Sequence, residues 1–182
     1  LTANTTGASN TAVGYEALKT TTTSHSTTAL GYQALTSLTN GNANLAIGFE
    51  SSKGLTIGAA NISIGYKAML NATAISSAIF IGANAGDAIT TSTEPNGAIG
   101  IGYNALTGLT SGAKNTAVGY ESGKSITTAS NSTLFGYQAG DAINTGSSNS
   151  AFGSSALTAN TSGIRNTAIG ETSMQSNTTG GY

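Results

Sequence analysis

His25, inside the run KTTTTSHSTT, is the only residue of this chain whose ordinary pKa suits general-base chemistry near neutrality. A base also needs an orienting partner within reach, and a histidine among serines and threonines reads as a solvated loop residue. Asp87 and Asp141 recur in matching Gly-Asp-Ala-Ile segments. Two isolated carboxylates do not supply the six to eight oxygens of a calcium site, and the nonapeptide calcium-roll pattern is absent. With no cysteine there is neither a thiolate metal site nor a disulfide framework. No catalytic residue, metal ligand or cofactor site is therefore expected.

The residues that could do chemistry by position are aromatic. Tyr15, Tyr32, Phe49, Tyr66, Tyr103, Tyr120 and Tyr137 each follow a glycine, and the column is broken by Ala83 and ends at Ser154 and Glu171. Six of the seven tyrosines stand in it. Such a column is a ligand or interface stripe, for example a stacking platform for sugar rings, or else a packing ladder whose hydroxyls reach water. Packing with a polar tip is the commoner use of tyrosine, and the ladder is the expectation here.

The elements that carry this column repeat. An apolar residue precedes Gly14, Gly31, Gly48, Gly65, Gly82, Gly102, Gly119, Gly136, Gly153 and Gly170, and every interval is 17 residues except one of 20. A unit that short can bury a hydrophobic face only against its neighbours, so the chain reads as one stacked array over 1–182. Before the glycine stands Val13, Leu30, Ile47, Ile64, Ile81, Ile101, Val118, Phe135, Phe152 or Ile169, apolar in all ten units and expected to form the core column. Two places earlier the residue is mostly β-branched, which with the intervening alanine makes a short strand. Three places after the glycine only alanine or serine occurs, as at Ala17 and Ser51, so space there is tight. A second apolar column lies seven places after it, at Leu38, Leu55, Ile89, Leu109, Ile126 and Ile143, and suggests a second strand in each coil.

The fold expected is all-β, a parallel β-solenoid of ten coils roughly 48 Å long, since stacked strands repeat at about 4.8 Å. The longer coil absorbs its extra residues in TTSTEPNG, Thr90 to Gly97, a loop holding the only proline, Pro95. Asparagine four places before the glycine, as at Asn44, Asn61 and Asn115, reads as an amide bonding to local backbone in a turn. Glu16 with Lys19, Glu50 with Lys53, and Glu121 with Lys124 read as exposed ion pairs of small energetic value.

Composition excludes several classes. A formal charge of -1 with 7% charged residues lacks the footprint of a nucleic-acid or anionic-membrane binder. No stretch approaches the 18 to 20 apolar residues of a spanning helix. The opening LTANTTGASN returns as LTANTSGIRN at Leu157 to Asn166, so the array is expected to be a fragment of a longer fibre chain. An ice-binding face would need an uninterrupted threonine grid, whereas the threonine column two places before the apolar one is broken by Leu45, Ile62, Ile79 and Ile99. Val-Gly-Tyr-Glu-Ala-Leu fits the hexapeptide of left-handed β-helix acyltransferases, but only a third of each coil fits, and the period is 17 rather than 18.

NTAVGYEAL at Asn10 to Leu18, with copies beginning at Asn115 and Asn166, resembles the YadA-like head repeats of trimeric autotransporter adhesins, which carry a Val-Ala-Ile-Gly strand followed three residues later by serine or alanine. Similar arrays occur in phage tail-fibre proteins. The resemblance covers the whole array. It implies a left-handed β-roll assembled as a homotrimer, at an extracellular position on a virion or, alternatively, on a bacterial surface, with a host glycan or protein receptor as partner. The 17-residue period in place of 14, and the tyrosine after the glycine, make the phage-fibre version the closer one. The expected function is a structural or adhesive fibre segment, either shaft or receptor-binding region. The head of a bacterial adhesin is the alternative, and ice binding and acyl transfer rank below both.

Overall fold

The computed structural model describes residues 1–90 and 96–181. Of the loop expected at Thr90 to Gly97, the stretch Thr91 to Pro95 lies outside the described residues. Ten three-residue strands, β1 (Thr11–Val13), β2 (Thr28–Leu30), β3 (Leu45–Ile47), β4 (Ile62–Ile64), β5 (Ile79–Ile81), β6 (Ile99–Ile101), β7 (Thr116–Val118), β8 (Thr133–Phe135), β9 (Ser150–Phe152) and β10 (Thr167–Ile169), form one parallel sheet in chain order. Each strand is one turn of a β-solenoid, and pairing is in register throughout, including Ile81 with Ile101 across the 20-residue coil. A second strand per coil is not formed among the described residues; the far wall is bridged only at Asn40, Ile57 and Ala74.

The glycine at the end of each strand is required by both conformation and space. Its φ lies between 115° and 141°, a region closed to side chains. A Cβ on Gly14, Gly65 or Gly119 would stand 2.4, 2.6 or 2.2 Å from the carbonyl oxygen of the next coil's glycine. The bend is completed by left-handed residues two and four places on, such as Glu16 (φ 56°) and Leu18 (φ 49°), and each coil has another before its strand, such as Ser9 (φ 59°). Leucine, methionine, alanine and arginine occupy such positions at Leu35, Met69, Ala60 and Arg165. The strain of a non-glycine residue there is offset by bonds between coils. The Gln33 N–H donates to the Tyr15 carbonyl at 2.8 Å, and the Leu18 N–H to the Ala34 carbonyl at 3.1 Å.

The core is not where the most apolar column pointed. Val13, Leu30, Phe135, Phe152 and Ile169 are exposed, and Ile47, Ile64, Ile81, Ile101 and Val118 only half-buried. The residue that points inward is the middle one of each strand, partly buried at Ala12 in β1 and buried at Ala29, Ala46, Ser63, Phe80, Gly100, Ala117, Leu134, Ala151 and Ala168. Alternation explains the correction: the first and third residues of a strand share one face, and a coil this narrow admits only the second. The interior is closed by the small residue three places after the glycine, by the residue four places after it, and by the second apolar column, which is buried as expected.

Large and small inward residues compensate around particular layers. An inward alanine is matched by a large side chain four places after the glycine in several coils, as with Ala29 and Leu35, but Ala46 stands with Ser52 and Ala117 with Gly123. Where the inward residue is Phe80, that position is Gly86 and the next inward residue is Gly100, whose added Cβ atoms would stand 2.5 and 2.8 Å from the Phe80 ring. Leu134 is accommodated in the same way by Gly123 and Gly140. Ser51 and Ser52 donate to the Ser63 hydroxyl at 2.8 and 2.6 Å, and no buried side-chain nitrogen or oxygen among the described residues lacks a partner. The asparagines of the column bond between coils, and Asn149 also locally, its Nδ2 donating to the Gly146 carbonyl at 2.9 Å as well as to that of Gly163 in the next coil at 2.8 Å. Asn61 Oδ1 accepts from the Ala78 N–H at 3.1 Å, and its Nδ2 donates to the Ile75 carbonyl at 2.7 Å.

Two glycine substitutions separate conformation from crowding. Gly170→Ala meets nothing within 4 Å and should cost only the strain of a positive φ, about 1–3 kcal/mol. Gly119→Ala adds a clash with the Gly136 carbonyl and should lower the melting temperature by clearly more in circular dichroism. Equal shifts would mean that the close approach between coils is not what selects glycine.

Candidate functional site

The structure brings the aromatic column together. Tyr15, Tyr32, Phe49 and Tyr66 stack with ring centroids 5.2, 5.1 and 5.4 Å apart, and Tyr103, Tyr120 and Tyr137 with centroids 5.1 and 5.4 Å apart. The interplanar angles of 8–18° follow from a sheet register that repeats each Cα one strand spacing away. Each inner ring lies face to face with two others while its edge meets solvent, which leaves every member of the column exposed. The rings form a ladder, ring on ring. At Ala83 it is interrupted, and the two stacks are separate.

Beside the rings runs a rank of polar groups. Lys19 Nζ meets Glu16 Oε1 at 2.6 Å, Lys53 meets Glu50 at 2.6 Å and Lys124 meets Glu121 at 3.3 Å, the three pairs read from spacing. Two amides bridge coils that pairwise spacing did not disclose: Gln33 Nε2 donates to Glu16 and Gln138 Nε2 to Glu121, at 2.7 and 2.9 Å. The hydrogen bond from Lys19 first, then that from Gln33, holds the Glu16 carboxyl below its ordinary pKa; for Glu121 the Gln138 bond is the larger cause. Partial burial pushes Asp87 and Asp141 the other way. Lys67 lies 5.2 Å from the Tyr66 ring centroid and 4.0 Å from Glu50.

Alongside the strands, the outward column from Val13 to Ile169 and the column from Thr11 to Thr167 form one apolar and largely β-branched face. On it Phe135 and Phe152 stack at 5.7 Å. His25 is exposed and accepts the Ala8 N–H at its Nδ1. Among the described residues no group of three or more His, Cys, Asp or Glu could hold a metal ion, and no helix is long and apolar enough to cross a membrane.

One column escaped the sequence reading. Threonine stands eight places after the glycine at Thr22, Thr39, Thr56, Thr73, Thr90, Thr110, Thr127, Thr161 and Thr178, with only Asn144 intervening. Period alone would have found it. Thr22 and Thr39 donate their hydroxyls to the carbonyl oxygen of the next coil at 3.1 and 2.9 Å, so the rank extends the backbone ladder. Searches against family models, curated proteins and solved structures returned no match.

Two measurements test this account. Tyr32→Ala removes two stacked neighbours and Tyr15→Ala one; at about 0.5–1.5 kcal/mol per aromatic pair, the first should destabilise by about 1–3 kcal/mol and the second by about half that, in urea melts. For Glu16 and Glu121 a lowered folded pKa means that their stabilising contribution is present above the unfolded value and fades as the pH falls through the folded one. Carboxyl chemical shifts in an NMR titration should place both midpoints below the ordinary 4.5, and Gln138→Ala should move Glu121 upward.

Proposed function

We propose that this chain is a segment of a homotrimeric extracellular fibre, most closely the shaft or receptor-binding region of a virion tail fibre, acting in host attachment and carrying no catalysis. The observation that carries the reading is the apolar outward face of the sheet. A ten-strand array of Val, Leu, Ile and Phe with Val13, Leu30, Phe135, Phe152 and Ile169 exposed and the five residues between them only half-buried is what an interface with further copies of the same rod would cover. A coil whose interior admits one strand side chain buries little apolar surface alone, and association through the sheet adds a second core outside the first. Threefold symmetry and the left-handed turn come from the resemblance of NTAVGYEAL to fibre and adhesin repeats. A stiff rod that presents three identical surfaces acts by geometry, since linked weak contacts bind at high effective concentration.

Light scattering should give three times 17.8 kDa. Ile64→Asp and Val118→Asp place a charge on the outward face, so each should reduce the particle to a folded monomer that keeps its β-rich circular dichroism. A wild-type chain that stays monomeric at micromolar concentration would overturn the trimer, and unfolding of both variants as monomers would return the column to the interior of the coil.

A further inference from the structure

We propose that the interruption of the aromatic ladder at Ala83 is a binding slot for a single pyranose ring, walled by the facing surfaces of Tyr66 and Tyr103. This deepens the attachment reading, on which its biological use rests, by naming a ligand and a place. The backbone does not break with the ladder. The Asn84 N–H donates to the Tyr66 carbonyl at 2.9 Å and the Asn104 N–H to the Ala83 carbonyl at 3.0 Å, the bonds that join the other coils at the same positions. Ala83 therefore sits on the rung between the two tyrosines, two strand spacings apart, roughly 10 Å. That height is one missing ring.

One face of Tyr66 is covered by Phe49 and one face of Tyr103 by Tyr120; the other face of Tyr103 looks across the Ala83 methyl, while the Lys67 ammonium lies over the Tyr66 ring, 5.2 Å from its centroid. Tyr66 is 51% exposed, like Tyr137 at the end of its stack, while Tyr103 at 45% is no more exposed than Tyr120 inside one. The walls and the rim differ in chemistry. The walls are two π-faces, whose negative quadrupole attracts C–H bonds. The rim carries the two phenol hydroxyls and the amides of Asn84 and Asn104, with Asn84 Nδ2 donating to Asn104 Oδ1 at 3.3 Å, and the Lys67 ammonium over the Tyr66 ring adds a donor beside them. A pyranose has this division, with C–H bonds on its faces and hydroxyls around its edge, whereas an aromatic side chain would satisfy the walls and leave the rim unused.

The test uses the full chain with methyl β-D-galactopyranoside, methyl β-D-glucopyranoside and p-cresol as probes. Binding is followed by saturation-transfer NMR and by tyrosine fluorescence, which no tryptophan obscures. At least one pyranoside should bind, with saturation strongest on its face C–H protons. Ala83→Tyr fills the rung, so it should abolish that transfer while the melting temperature holds or rises. Tyr66→Ala should weaken binding about tenfold, and Tyr15→Ala at the far end of the column should leave it unchanged. Should Ala83→Tyr fail to fold by circular dichroism, the contrast between Tyr66→Ala and Tyr15→Ala carries the test. Absence of binding by both pyranosides at millimolar concentration, equal binding by folded Ala83→Tyr, or binding by p-cresol alone would each overturn the slot. Light scattering on the same samples reads assembly separately, so a lost slot with an intact trimer leaves the fibre reading standing.

Discussion

Everything in this rod depends on how closely one coil's glycine approaches the next. At each strand end the backbones meet so tightly that a single added carbon would lie within 2.2–2.6 Å of a carbonyl oxygen for every repeat glycine except Gly170. That approach holds the coils at strand spacing, keeps ten short strands in register, and superimposes every column on itself. The aromatic stack, the carboxylate and amide bridges and the threonine rank are consequences of that translation. None of them is strong alone. Each recurs because the glycine sets the same residue over its copy.

The period, the parallel stacking and the tight position after the glycine were all legible in the residues. Ala17, Ala34 and Ser51 are buried as their size required, and Leu38, Leu55 and Ile126 lie inside as the second apolar column required. The direction of the strand was not legible. Val13 to Ile169 is the most apolar column of the chain, and in an isolated globular domain the most apolar column faces in. In a solenoid with an exposed sheet the argument fails, because an apolar residue has two places to go and the sequence pattern is the same for both.

Two further features were illegible for physical reasons. A left-handed φ at Leu35, Met69 or Arg165 has no composition cue, since these residues disfavour that conformation and adopt it only because hydrogen bonds between coils leave no alternative. The pairing of Phe80 with Gly86 joins positions in different columns and its pairing with Gly100 joins the two unlike members of one, so reading each column for its common residue treats the phenylalanine as an exception and the glycines as noise. The aromatic stripe was visible as a column, but only the ring-to-ring distances distinguish a stack from a row.

The compensation around Phe80 also bears on how such an array can change length. Recombination between near-identical segments excises or duplicates whole units, and a perfect repeat would accept the exchange anywhere. Here the units are not interchangeable. Excising the unit that contributes Gly100 would bring Ala117 under the Phe80 ring, in a space that already lacks room for one more carbon at Gly100. Units with alanine strands and leucine bends, such as those around Ala12 and Ala29, carry no such dependence on an unlike neighbour. Length variation should therefore be confined to those stretches, while the units around Phe80 and Leu134 are inherited as blocks.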